Sequence, residues 1–329
     1  MSPVTAVPTH PSVLGDLATF GPHGSAPTTY PQAAAYTRRL TEQHYENFTV
    51  VSRLLPARLR DDFRHVYAFC RAADDLGDEA GDRDRAVELL TWWRDELEAC
   101  YAGEPRHPIF VALRRTIETH DLPRAPFDHL IHAFIQDQRV TRYDTYAQVL
   151  DYCTRSADPV GRLVLMMYGY RDAERFGHAD ATCTALQLTN FWQDVRRDVL
   201  ERDRVYVPRD IASDHGLDVD AMAEAIRRHE ACGGADAGAL DAVRPAFVAT
   251  QRDIVARTWR LFDRGHVLWP TIADGRLRAC VKLFSRGGEA VLTRIEKQGF
   301  DTLERRPKLG KLERARLLLA AGAGRLVGL

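Results

Sequence analysis

A chain of 329 residues is long enough for one large domain or two ordinary ones. Its 45% hydrophobic and 28% charged residues are ordinary for a soluble globular protein, and a net charge of −1 gives no electrostatic case for a nucleic-acid partner. Six scattered cysteines without a C-x-x-C pair point to reduced thiols of a cytoplasmic protein rather than a zinc site or disulfide framework.

Residues 1–30 are rich in Pro, Thr, Gly, Ala and His and lack the basic and apolar regions of a secretory signal, so they read as a disordered leader. From Pro31 the pattern is helical, and Val, Ile and Thr never gather in the alternating runs that strands require. Segment 31–53 opens on a proline suited to a first helical turn and is ended by Pro56. Segments 57–80, 83–103 and 108–120 follow, with Val87, Leu90, Trp93, Leu97 and Tyr101 marking one face of the second. The Trp92-Trp93 pair reads as packing. Segment 127–141 carries His129 and His132; with no third ligand nearby, that pair reads as ordinary helix surface or core.

Segment 145–169 holds a Pro and a Gly at Ser156-Ala157-Asp158-Pro159-Val160-Gly161, which predicts a kink. Segment 173–200 is a long helix, 204–208 reads as extended, and 219–231, 236–262 and 268–291 are helical again. From Asp301 the chain carries seven Lys/Arg against three Asp/Glu and reads as a basic helical tail, solvated or lying on a membrane surface. No run reaches the ~18 apolar residues of a spanning helix. The expectation is a single all-α domain over 31–300, between the leader and the 301–329 tail.

Two acidic stretches stand out, Arg71-Ala72-Ala73-Asp74-Asp75-Leu76-Gly77-Asp78 and Gln187-Leu188-Thr189-Asn190-Phe191-Trp192-Gln193-Asp194-Val195-Arg196-Arg197-Asp198. Asp74/Asp78 and Asp194/Asp198 are each four residues apart, which stacks like charges on one helix face at a cost to the helix. The second line is extended by Asn190, with Gln187 one turn further back. Carboxylate pairs of this kind suit Mg²⁺, a hard ion held by one or two carboxylates plus substrate phosphate. Two facing helices carrying such lines would hold Mg²⁺ ions that clamp a diphosphate and stabilise it as a leaving group. No G-x-G-x-x-G fingerprint or P-loop is present, so no nucleotide cofactor is expected.

Taken with His44, Phe48, Leu55-Pro56, Tyr67 to Arg71 and Arg204-x-Tyr206-x-Pro208, the two acidic stretches resemble the squalene/phytoene synthase family over roughly residues 40 to 300. His44-Tyr45-Glu46-Asn47-Phe48 and Ser156 to Gly161 most resemble its bacterial hopanoid-pathway branch. The resemblance implies an all-α isoprenoid synthase fold around a central apolar cavity. It implies Mg²⁺ on Asp74, Asp78, Asn190, Asp194 and Asp198. It places Arg71, Gln187 and Arg204 around a diphosphate, and His44, Phe48 and Tyr206 along the site. In that branch, presqualene diphosphate would lose diphosphate, rearrange and be captured by water to give hydroxysqualene.

Presqualene diphosphate, squalene and phytoene or dehydrosqualene synthesis are the alternatives, and a catalytically silent scaffold of the same fold is a further one. A prenyl diphosphate is the expected substrate; peripheral membrane contact and neighbouring squalene-pathway enzymes are open partners. The resemblance departs at two places. Thr154 stands where condensing members are expected to carry a tyrosine, and Asp203 stands where a glycine often precedes the matched Arg204.

Overall fold

The computed structural model describes residues 12–24, 26–43, 55–233 and 237–310. The chain divides into two compact units, one from Met1–Arg139 with Arg162–Asp172, the other from Val140–Gly161 with Ala173–Leu329. No Gly/Pro-rich linker marks the division. Among the described residues every long element is a helix, and the β pairing consists of one parallel bridge between Arg142 and Val205.

The first unit contains α1 (Leu17–Phe20), α2 (Tyr30–Gln43), α3 (Arg60–Asp78), α4 (Arg83–Ala102), α5 (Pro108–His120) and α6 (Ala125–Asp137). Acidic Asp61 and Asp62 in the first turn of α3 complement its dipole, and Phe63, Val66, Phe69, Ala73 and Leu76 repeat every three or four residues to bury one face. Asp82 caps α4 by accepting from the Arg85 amide, and Gly103 ends it in the left-handed conformation. The core centres on Phe69, whose ring lies 6.1 Å from Trp93, 5.8 Å from Phe110 and 5.1 Å from Phe127.

The second unit is built on α9 (Ala173–Arg202) and α12 (Ala237–His266), with α7 (Tyr146–Ser156), α10 (Arg209–Asp214), α11 (Val219–Ala231), α13 (Leu268–Thr271) and α14 (Gly275–Lys297). α9 and α12 pack along their length; the buried Trp192 Nε1 of α9 donates to Thr258 Oγ1 of α12 at 2.9 Å. The kink expected near Pro159 is a break, α7 ending at Ser156 and α8 (Asp158–Met167) starting anew. Thr145 closes a capping box with Gln148 at the start of α7.

Two expectations are corrected. The leader is not disordered throughout: Val13 and Phe20 are buried, α1 forms, and Tyr36 Oη donates to Asp16 at 2.9 Å. Apolar side chains that pack locally override a loop-like composition there; residues 1–11 lie outside the described residues. The tail is not helical over 301–310. Thr302, Leu303 and Pro307 are buried, and Thr302 Oγ1 donates to the Trp192 carbonyl at 3.1 Å. Packing on α9 replaces the helix that composition suggested, and residues 311–329 lie outside the described residues. No described helix is long and apolar enough to cross a membrane.

Candidate active site

The first acidic pair sits at the end of α3, where Asp78 is the last helical residue. Both Asp74 and Asp78 are partly buried. Arg71 is engaged with its own helix: it donates to Asp74 Oδ2 at 3.0 Å and Glu79 Oε1 at 3.3 Å, and it pairs with Asp75. Asp75, which the spacing did not single out, is buried, and that burial pushes its carboxyl up to about 6 against the lowering effect of Arg71. Sequence offered the signal in the i,i+4 spacing of Arg71 and Asp75. Gln138 Nε2 donates to the Gly77 carbonyl at 3.0 Å and so holds the end of α3 on α6.

The second pair lies in the C-terminal half of α9. Asn190, exposed, heads a line through Asp194 and Asp198, whose side chains keep 15% and 13% exposure. Gln187 is partly buried one turn earlier. Burial first, then the neighbouring Asp194 charge, push the Asp198 carboxyl up to about 7, while Arg202, Arg204 and Arg197 oppose the shift. Arg306, 112 residues away, binds both carboxylate oxygens of Asp194 and reaches Gln193 Oε1 at 3.2 Å. A cleft of about 260 Å³ opens here, lined by Asp194, Arg196, Arg197 and Arg306 among others.

Beyond α9 the chain turns at Asp203 and runs extended through Arg204 and Tyr206, both buried. The Arg204 amide donates to the Asp198 carbonyl at 3.0 Å. The Tyr206 ring lies flat on Phe191, 3.6 Å between centroids and 6° between planes, and Tyr143 and Tyr152 close the cluster at 5.7 and 5.8 Å from Tyr206. Phe191 is three residues before Asp194, so aromatic faces and carboxylates come from adjacent positions of one helix. Tyr143 and Tyr152 carried no motif of their own and were missed. Thr154 has no place in that wall: it is exposed, and its Oγ1 donates to the Asp151 carbonyl at 2.6 Å. The buried tyrosine of α7 is Tyr152, two residues earlier and on the opposite side of the helix. His44 and Phe48 lie outside the described residues.

Among the described residues no three His, Cys, Asp or Glu side chains gather into a ready metal cage. Each acidic helix instead presents a carboxylate pair, a donor set that suits Mg²⁺ completed by water and phosphate. Burial and the neighbouring Asp194 charge keep the Asp198 carboxyl raised, and a bound cation would offset both.

Among the described residues the long elements are helices, and two of them carry a pair of aspartates, the pattern that the sequence led one to expect of an isoprenoid synthase. The squalene/phytoene synthase family model matches residues 41–313, and the chain belongs to that family. Its members are isoprenoid-synthesising enzymes that use prenyl diphosphates, with Mg²⁺ general among them. The chain is 43% identical to the squalene synthase HpnC of Alicyclobacillus acidocaldarius, covering 83% of this chain and 96% of that one at a TM-score of 0.72. It is 32% identical to a hydroxysqualene synthase of Zymomonas mobilis over 85% of this chain and 88% of the relative. It is 31% identical to a phytoene synthase of Thermus thermophilus over 85% and 89%. A dehydrosqualene synthase crystal structure, 22% identical with a TM-score of 0.76 over 91% of this chain and 98% of that one, shares the fold.

Proposed function

We propose that the chain is a Mg²⁺-dependent synthase that ionises presqualene diphosphate and captures the rearranged cation with water to give hydroxysqualene. The observation that carries the reading is α9 and the strand-like run after it. Two crowded carboxylates, Asp194 and Asp198, adjoin a stacked aromatic pair, Phe191 and Tyr206. Carboxylates are what a diphosphate-bound metal needs, and aromatic faces are what a carbocation needs in a water-poor pocket.

Asp74, Asp78, Asn190, Asp194 and Asp198 would hold Mg²⁺, which when bound stabilises the departing diphosphate. Arg71, Gln187 and Arg204 are the side chains assigned to the diphosphate, and His44, Phe48 and Tyr206 are those assigned to the lining of the site. Loss of diphosphate breaks the primary C–O bond and leaves a cyclopropylcarbinyl cation. After rearrangement, water supplies the oxygen and gives up a proton. Support for this branch comes from the 43% likeness to a squalene synthase and the 32% likeness to a hydroxysqualene synthase. With Thr154 outside the wall, the branch rests on these and on the His44–Phe48 and Ser156–Gly161 motifs.

The second reading is condensation of two prenyl diphosphates, favoured by the comparable likeness to a phytoene synthase. Purified protein with Mg²⁺, with and without NADPH, is offered presqualene, farnesyl or geranylgeranyl diphosphate in separate reactions, and the lipid products are identified. Hydroxysqualene from presqualene diphosphate alone is the expected result. Consumption of only farnesyl or geranylgeranyl diphosphate overturns the branch, and squalene formed only with NADPH overturns water capture.

A further inference from the structure

Asp203 is the hinge between α9, which carries Asp194 and Asp198, and the extended run that carries Arg204 and Tyr206. Its φ is 53°. In that left-handed region the Cβ of an L-residue crowds the following carbonyl, so glycine enters freely, whereas aspartate enters at a cost that outside hydrogen bonds can offset. Two arginines supply that support. Arg142 Nη1 donates to the Asp203 carbonyl at 2.7 Å and to the Thr141 carbonyl at 2.9 Å. Its Nη2 donates to Asp203 Oδ1 at 2.9 Å, and Arg227 pairs with the same oxygen. Its Nε reaches Asp220 Oδ1 at 3.2 Å, and Asp220 is fixed in turn by Arg209 at 2.7 Å.

One guanidinium therefore grips the hinge residue by main chain and side chain together, which the planar five-donor fork of arginine allows and a lysine ammonium does not. Surface ion pairs of this kind add little stability singly. What they can do is fix a geometry. Directly downstream the Arg204 amide donates to Asp198 at 3.0 Å, the Val205 amide donates to Thr141 at 2.9 Å, and Tyr206 lands on Phe191.

We propose that Arg142, helped by Arg227, is a positioning residue. It holds Asp203 in a backbone conformation that glycine would adopt unaided, and so sets Arg204 and Tyr206 beside the second acidic pair. The proposal rests on the reading of Arg204 and Tyr206 given under Proposed function. It makes a specific demand: replacing Asp203 by glycine should make Arg142 dispensable.

The test uses the full-length R142A, R142K and D203G variants and the R142A/D203G double variant, each checked for helical circular dichroism. Two quantities are read: hydrogen exchange at the Arg204 and Val205 amides, and diphosphate release from whichever prenyl diphosphate the wild type consumes. In R142A and R142K, exchange at both amides should speed up about tenfold or more, and kcat should fall by a similar factor with KM moving less than about threefold. The loss falls on kcat because charge builds on the departing diphosphate in the transition state. In the double variant both quantities should return to within about threefold of wild type. Unchanged exchange in R142A overturns the proposal, as does faster exchange that D203G fails to restore. Exchange that behaves as expected while kcat stays constant in every variant overturns the assignment of Arg204 and Tyr206 to the reaction and leaves the backbone grip standing.

Discussion

His107 lies at 2% exposure among the rings of Phe20, Tyr36, Trp92 and Trp93, and its Nδ1 accepts the Ile109 amide at 3.2 Å as the N-cap of α5. Burial pushes its imidazole down to about 3. The unfolded chain therefore takes up a proton near pH 6.5 that the folded chain refuses until about pH 3, and this contribution to stability is lost as pH falls through that window. Buried His65, lowered to about 4, acts in the same direction. Asp75 and Asp198, raised to about 6 and 7, act oppositely: each adds stability at low pH that is lost as pH rises through its folded value. The wild-type profile is thus a partial cancellation, and a variant isolates one part of it. His107→Asn keeps a capping side chain and removes the titration. Its stability deficit against wild type should shrink by about 2 kcal/mol between pH 7.5 and pH 5, read by urea unfolding. A deficit constant with pH would mean that the folded His107 takes up its proton as readily as the unfolded one. None of this burial was visible in the sequence, where His107 stands between the helical segments 83–103 and 108–120. The acidic pairs were visible, because a four-residue spacing of like charges is costly on a helix and is visible without the fold.

At the scale of elements, α14 meets α9 and α12 through a glycine. A Cβ on Gly288 would stand 2.6 Å from Leu186 Cδ2 and 2.7 Å from Phe262 Cζ, whereas one on Gly287 meets nothing within 4 Å. Phe262 is fully buried and has no room to swing aside. Gly287→Ala should gain up to about 1 kcal/mol of helix propensity. Gly288→Ala sets the same gain against overpacking of about 1–3 kcal/mol and should be net destabilising. Thermal melts of the two variants should move in opposite directions, and a stabilised Gly288→Ala would show that α14 does not pack as described. Helices such as α4, α5 and α9 were legible because apolar spacing is a local signal. The 301–310 run was not, since its burial depends on Trp192, Gln193 and Asp194, more than a hundred residues away. Asp203 was noticed as a departure from the resemblance, but the reason for a glycine at that position emerged only from its φ and the arginines around it.

For the molecule as a whole, each compact unit carries one aspartate pair, so the loss of either pair should be fatal to turnover and harmless to the fold. None of the four side chains is fully buried. Asp74 and Asp78 are partly buried, and the Asp194 and Asp198 side chains keep 15% and 13% exposure. Removing one carboxylate also relieves like-charge repulsion along its helix. Asp74→Ala and Asp194→Ala should therefore each abolish product formation while keeping wild-type helical circular dichroism, and a chelator should do the same to the unaltered protein. A ligand that binds the folded state alone adds about 2.7 kcal/mol at a hundredfold excess over its Kd. Wild-type protein should accordingly melt higher in saturating Mg²⁺, and each variant should lose part of that gain. Asp198→Asn sharpens the point. A carboxyl held near 7 is strained when ionised, so without Mg²⁺ at pH 8 the amide should melt above wild type, and adding Mg²⁺ should narrow or reverse the gap. Turnover that survives chelation, or survives in both alanine variants, would remove the metal clamp from the mechanism. An Asp198→Asn protein no more stable than wild type without metal would remove the electrostatic reason for placing a cation at that pair.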